Sequence, residues 1–203
     1  MKLLELFSGT GSVGKVAKDF GFEVVSLDLK GALINTDILD WNYRDYPVGY
    51  FDFIHASPPC VEYSIAKTTG VRKIIEANRI VKKTLEIIDY LKPKYWTIEN
   101  PQTGLLKKQE FMEGLPYFDI DYCKYGFNYR KRTRIWTNIK CWTPRPLCKK
   151  DCGKVVDNKH IETAQRLPND LKNNPNGLKH TQEELYKIPE ELVRETFQSL
   201  NQQ

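Results

Sequence analysis

Apolar residues along the first hundred positions fall into short continuous runs, and each run is followed by polar or glycine-rich residues. Lys2 to Phe7, Glu23 to Leu27, Phe51 to Ala56 and Tyr95 to Ile98 have the length and content of buried strands. Between them the spacing changes. Val16-Ala17-Lys18-Asp19-Phe20 has helical spacing, and from Arg72 to Leu91 the residues Ile75, Ile80, Val81, Leu85, Ile88 and Leu91 trace a long amphipathic helix that ends before Pro93. Strand alternating with helix predicts an α/β fold: a mostly parallel sheet, helices on both faces, and ligands bound beyond the carboxyl ends of the strands. Tyr117 to Tyr122 predicts a further strand. Pro189 to Leu200 predicts a final helix with Leu192, Val193, Thr196, Phe197 and Leu200 facing the core. From Cys141 the pattern loosens into a small irregular segment, and Leu167 to Gly177, rich in Asn and Pro, predicts loop.

The polar residues that interrupt these runs collect at predicted strand ends. The first strand runs into Ser8-Gly9-Thr10-Gly11-Ser12, a glycine turn opening a helix, where backbone N–H groups can approach a ligand closely. Asp28 ends the second strand about 20 residues after that loop, the separation at which an acidic side chain takes ribose hydroxyls. Asp37, followed by Ile38, suits either an adenine amino group or a helix cap or turn. His55 lies within a buried strand and reads as a satisfied core residue. Ser57-Pro58-Pro59-Cys60 then holds a thiol on a backbone with little freedom. Cys60 taken alone is better explained as a small buried hydrophobe. Glu99-Asn100-Pro101 puts another carboxylate at a strand end. Between aromatics, Arg130, Arg132 and Arg134 alternate with Lys131, which faces the other way; a charged edge strand and a phosphate- or base-binding strand both fit.

Composition narrows the classes. At 203 residues the chain suits one α/β domain, read as a core over 1–140 and a short segment with a returning helix over 141–203. A formal charge of +5 permits a polyanionic partner without demanding one. No run approaches the roughly 18 apolar residues of a membrane span. Five irregularly spaced cysteines do not form a secreted disulfide framework, so a reducing, intracellular compartment is expected. Cys141, Cys148, Cys152 and His160 fall within twenty residues, but Cys141 stands apart and no second close pair exists; no metal is assigned.

Taken in order, Glu5-Leu6-Phe7-Ser8-Gly9-Thr10-Gly11-Ser12, Asp28, Asp37, Ser57-Pro58-Pro59-Cys60, Glu99-Asn100-Pro101 and the arginine-rich segment resemble the cytosine-5 DNA methyltransferases, from Leu3 to Trp136. The resemblance implies a Rossmann-like methyltransferase sheet and S-adenosylmethionine as methyl donor. Phe7 and the loop Ser8 to Ser12 would cradle the donor, and Asp28 its ribose. Asp37 and Ile38 would hold its adenine, with Leu29, Ser57 and Pro58 completing the cofactor set. Cys60 would be the nucleophile, Glu99 its acidic partner, Asn100 a neighbour of both, and Arg132 or Arg134 a fixed positive charge at the base carbonyl or the cysteine loop. Double-stranded DNA is the implied substrate. RNA is the alternative, since a tRNA-directed group resembles the DNA enzymes in the same motifs, and a non-catalytic binding subunit is a second alternative. The loop Val61 to Lys73, with Ser64, Lys67 and Arg72, is expected to close over a flipped base. The family's large recognition region and Gly-Asn element have no counterpart after Trp136; Asn176-Gly177 reads as a turn. Recognition is expected to be minimal, to come from residues 141–180, or to come from a partner chain.

Overall fold

A computed structural model describes residues 1–164 and 180–200; the predicted loop Leu167 to Gly177 lies outside them. The strands are β1 (Lys2–Leu6), β2 (Glu23–Asp28), β3 (Ile34–Asn35), β4 (Phe53–Ala56), β5 (Tyr95–Pro101), β6 (Tyr117–Asp121), β7 (Arg132–Thr137), β8 (Val155–Val156) and β9 (Lys159–His160). The helices are α1 (Ser12–Asp19), α2 (Ile74–Leu91), α3 (Gln182–Tyr186) and α4 (Glu190–Leu200). Seven strands form one sheet in the order β3-β2-β1-β4-β5-β7-β6. β1 to β5 are mutually parallel, while β7 runs antiparallel to both β5 and β6. The expected mostly parallel α/β sheet is therefore present. β8 and β9 form a separate hairpin, joined through Asp157 and Asn158 at φ +48 and +63, the paired left-handed residues of a two-residue turn.

Each face of the sheet has its own core. On one face, Leu4, Leu6, Ile54 and Ile98 meet the buried stripe of α2, which is Ala77, Val81, Thr84, Ile87, Ile88 and Leu91. Ile75, read as part of that stripe, is 77% exposed: steps of three and four back from Val81 reach Ala77 and Ile74, leaving Ile75 turned outward. On the other face, Leu3 and Phe53 meet α1 and α4, and the Phe197 ring packs on Phe20, Phe22 and Phe53. Arg145 clamps α4 to the sheet side through Glu195 at 2.5 Å and Glu191 at 2.9 Å. Among the described residues no helix is long and apolar enough to cross a membrane.

Candidate active site

β1 has β2 on one side and β4 on the other, so the loops leaving these strands diverge and open a crevice at their carboxyl ends. The cavity there is about 370 Å³, and small-molecule sites span roughly 300–1,000 Å³. Phe7 makes the turn out of β1 at φ +58, a conformation that bulky residues rarely adopt, and Gly11 ends the loop at φ +66. Phe7, Ser8, Gly9, Thr10 and Ser12 line the cavity, while Gly11 shapes the turn and is not part of the wall. No side chain of this loop caps α1. Glu5 of β1 does so instead, accepting the Val13 N–H at 3.1 Å. Burial pushes its carboxyl up to about 7, against the pull of the Gly14 and Val13 N–H groups. A Cβ at Gly14 would collide with Glu5 Oε2, so this contact between strand and helix needs glycine.

β2 brings Asp28 to the wall, where its oxygens accept the N–H groups of Gly9 at 2.8 Å and Leu29 at 2.7 Å. Leu29, Asp37 and Ile38 continue the same wall. Asp37 also forms a turn, its Oδ1 accepting the Leu39 N–H at 2.8 Å.

From β4 come Ser57, Pro58, Pro59 and Cys60, all on the wall. His55 braces them from beneath: Nδ1 lies 2.8 Å from Thr97 Oγ1 and Nε2 lies 2.9 Å from Ser57 Oγ. Burial pushes its imidazolium down to about 3, so the ring is neutral, a satisfied core histidine as its sequence position suggested. Asn100 stands behind the cysteine loop, its Nδ2 donating to the Pro58 carbonyl at 2.9 Å. Its neighbour Glu99, 7% exposed, points into the cavity beside Cys60. The Tyr122 hydroxyl donates to Glu99 Oε1 at 2.9 Å, and Lys131 Nζ lies 3.8 Å from the same oxygen.

Burial and then the Glu99 charge push the Cys60 thiol up, while Lys131 pulls it the other way. Alkylation of Cys60 by iodoacetamide, followed by mass spectrometry, should therefore inflect above the ordinary thiol value of about 8.5. Lys131→Met should move the inflection higher and Glu99→Gln lower. An inflection below the ordinary value would contradict this electrostatic balance.

Arg132 and Arg134 stand elsewhere. Alternation along β7 puts them on the face opposite Lys131, where Arg132 forks onto Asp121 at 2.7 and 3.0 Å and Arg134 onto Asp119 at 2.7 and 2.9 Å. These are cross-strand pairs in register. Neither arginine reaches the cavity; the cation on its wall is Lys131. The loop after Cys60 is held by its own residues. Arg72 donates to the carbonyls of Glu62, Ser64 and Lys67 at 2.7–2.9 Å, and Lys67 pairs with Glu62. Val61, Ile65, Val71 and Ile75 are left exposed around it.

Sequence reasoning passed over Glu5, Lys131, Tyr122, Tyr186 and Ile188. Strand alternation set Lys131 apart from the arginines without giving it a place in the site. Tyr186 and Ile188 were not legible, since they join the wall from the far end of the chain, where the Ile188 N–H donates to Ser12 Oγ at 3.3 Å.

Comparison with known proteins follows the same lines. Residues 1–113 match the family model of the C-5 cytosine-specific DNA methylases. A protein of Frog virus 3 (isolate Goorha), named "Probable DNA (cytosine-5)-methyltransferase", is 36% identical over 174 residues, covering 78% of this chain and 80% of its own. A solved structure (E. coli) described as a "putative DNA modification methyltransferase encoded within prophage" has the same fold, with a TM-score of 0.53 at 17% identity. That match covers 73% of this chain and 52% of the other, so the chain spans about half the length of that structure. With the family model matched over more than half of its length and the viral relative aligned over most of both proteins, the chain belongs to the C-5 cytosine-specific DNA methylase family.

Proposed function

We propose that the protein transfers a methyl group from S-adenosylmethionine to carbon 5 of cytosine in DNA, through a covalent adduct of Cys60 on a flipped base. One observation carries this reading: Cys60 and Glu99 face the same cavity as the glycine loop and Asp28. The cavity suits the donor. Its wall is largely apolar around Phe7, Leu27 and Ile38, with Asp28 and Asp37 at the strand ends for the polar groups of a nucleoside. When bound, the donor supplies an electrophilic methyl group.

The chain's own residues do the rest. Cytosine carbon 5 is a poor nucleophile, so Cys60 passes its thiol proton to Glu99 and adds as the thiolate to carbon 6, which makes the ring enamine-like. Glu99 hands that proton to ring nitrogen 3, which neutralises the charge that addition would leave there. Tyr122 and Lys131 hold Oε1, which leaves Oε2 as the oxygen to meet the base. Lys131 also stabilises the thiolate. His55 and Asn100 hold the Pro-Pro-Cys loop from beneath and behind, which fixes the angle of attack. After methylation, a water molecule takes the carbon 5 proton, the carbon 6–sulfur bond breaks to release the Cys60 thiolate, and nitrogen 3 returns its proton to Glu99. A stacked base hides carbon 6, so the target must leave the helix, and the apolar residues exposed beside Cys60 suit the space it vacates. Acting on DNA, the protein works inside the cell.

Incubation with tritium-labelled donor, mixed-sequence duplex DNA and, in parallel, tRNA tests the reading. Label should enter DNA, at cytosine carbon 5. Label in tRNA alone would transfer the same chemistry to RNA, and label in neither would end the proposal.

A further inference from the structure

We propose that Cys123, Cys148, Cys152 and His160 form a zinc site that staples the segment after β7 to the corner following β6. Their donor atoms all lie within 4.8 Å of one another. Cys141, the thiol that sequence proximity put with this group, is elsewhere, its Sγ 3.9 Å from Ser199 Oγ on α4. Cys123 takes its place from the turn Tyr122–Tyr125, which directly follows β6.

Three observations converge. The first is distance. Cys148 Sγ and Cys152 Sγ each lie 3.5 Å from the same atom, His160 Nε2. A tetrahedral zinc ion with Zn–S of about 2.3 Å and Zn–N of about 2.05 Å separates sulfur from nitrogen by about 3.5 Å. One ring nitrogen has either one N–H or one lone pair, so hydrogen bonding alone gives no reason for two sulfurs to converge on it. A shared metal does.

The second is local geometry. Lys150, between the two cysteines of the turn, adopts φ +72, and its N–H donates to Cys148 Sγ at 3.2 Å. A backbone N–H onto the sulfur stabilises a thiolate and orients it, as outer partners of metal ligands do. The β8–β9 hairpin, with its two left-handed turn residues, brings His160 back to the same point.

The third is that this segment has no buried core and is otherwise tied to the rest only by polar contacts such as Lys124–Asp151 and Asn128–Glu162. From Lys149 to Ala164 no residue is buried, and the hairpin strands are two residues each. Hydrophobic burial cannot fix such a piece, and a metal is the ordinary substitute. The donor set of three thiolates and an imidazole selects zinc among common ions, and four protein ligands leave no open position for catalysis. The role is structural. The site adjoins catalytic machinery all the same, because Tyr122, which holds Glu99, precedes Cys123, and Asp121 accepts the Cys148 N–H at 3.0 Å.

The full chain, purified reduced from zinc-supplemented medium, should carry one zinc per molecule by elemental mass spectrometry. Its Co²⁺-substituted form should show the intense visible bands of tetrahedral cobalt, with charge-transfer intensity for three thiolates. Cys152→Ser should weaken zinc binding by more than the roughly 10–100-fold that loss of an outer partner costs. Cys141→Ser should leave stoichiometry and spectrum unchanged. If Cys152→Ser fails to fold, the cobalt spectrum and zinc content of the unmodified chain still decide. A reduced chain that takes up neither Zn²⁺ nor Co²⁺, or a Cys141→Ser variant that loses the metal, would overturn the proposal.

Discussion

Cys60→Ala should abolish methyl transfer to DNA, lowering the rate by about 10⁴-fold or more, the scale lost when an enzyme's nucleophile is removed. The loss should be confined to chemistry. Cys60 is only partly buried, and removing its sulfur leaves the Pro58 carbonyl bonded to Asn100 and Ser57 bonded to His55, so the loop keeps its shape. Calorimetric titration with S-adenosylmethionine should give the same affinity for variant and parent, because the residues proposed to hold the donor, Phe7, Asp28 and Asp37, are other parts of the wall. Duplex DNA carrying 5-fluorocytosine should form a denaturation-resistant adduct with the parent and none with the variant, since fluorine at carbon 5 blocks the elimination that frees the cysteine. A variant within tenfold of the parental rate would remove Cys60 from the mechanism.

Arg132→Ala should destabilise the fold by about 3 kcal/mol, the low end of what breaking a buried ion pair costs. The Asp121 side chain is fully buried and receives two Arg132 N–H groups and the Cys148 N–H. Without the guanidinium its carboxylate keeps a single donor. Arg132 is itself 32% exposed, so water takes up part of the loss and the upper range is not reached. Urea unfolding should show a lower midpoint at unchanged slope, with donor affinity intact. Asp121→Asn in the same background should recover part of the stability, because the uncompensated charge is then gone. A variant of parental stability that had lost its rate would instead return Arg132 to the reacting base.

The two predictions separate residues that the sequence grouped together. Cys60, Glu99 and the glycine loop share one wall because each follows a parallel strand, and parallel strands present their carboxyl ends to the same side. Arg132 and Arg134 belong to an antiparallel strand, and only its register shows which neighbours they meet. Alternation set them apart from Lys131 but did not say that Lys131's face was the cavity side. Asp37 was open between turn and ligand wall, and it serves the turn while lining the wall. Helix α2 shows the same limit at the scale of packing. Its apolar periodicity was plain, but the buried stripe runs through Ala77 and Thr84 rather than Ile75.

What the sequence determined by itself was everything carried by local period and local order. Buried runs of four to six residues gave β1, β2, β4 and β5, and β6 was read as a strand; β7 was read as a charged edge or binding segment but lies inside the sheet between β5 and β6, and the two-residue β3 was not read. The glycine turn and the ordered motifs gave the sheet edge and the family. Tertiary structure alone decided which distant groups meet. Glu5 caps a helix across a strand-to-helix turn, Ile188 closes the cavity from 176 residues beyond Ser12, and Cys123 rather than Cys141 joins Cys148, Cys152 and His160. The physical reason is common to all three. Hydrophobic period is set by neighbours three or four positions away, whereas a contact among a strand end, a turn and a hairpin depends on the accumulated direction of the whole chain between them.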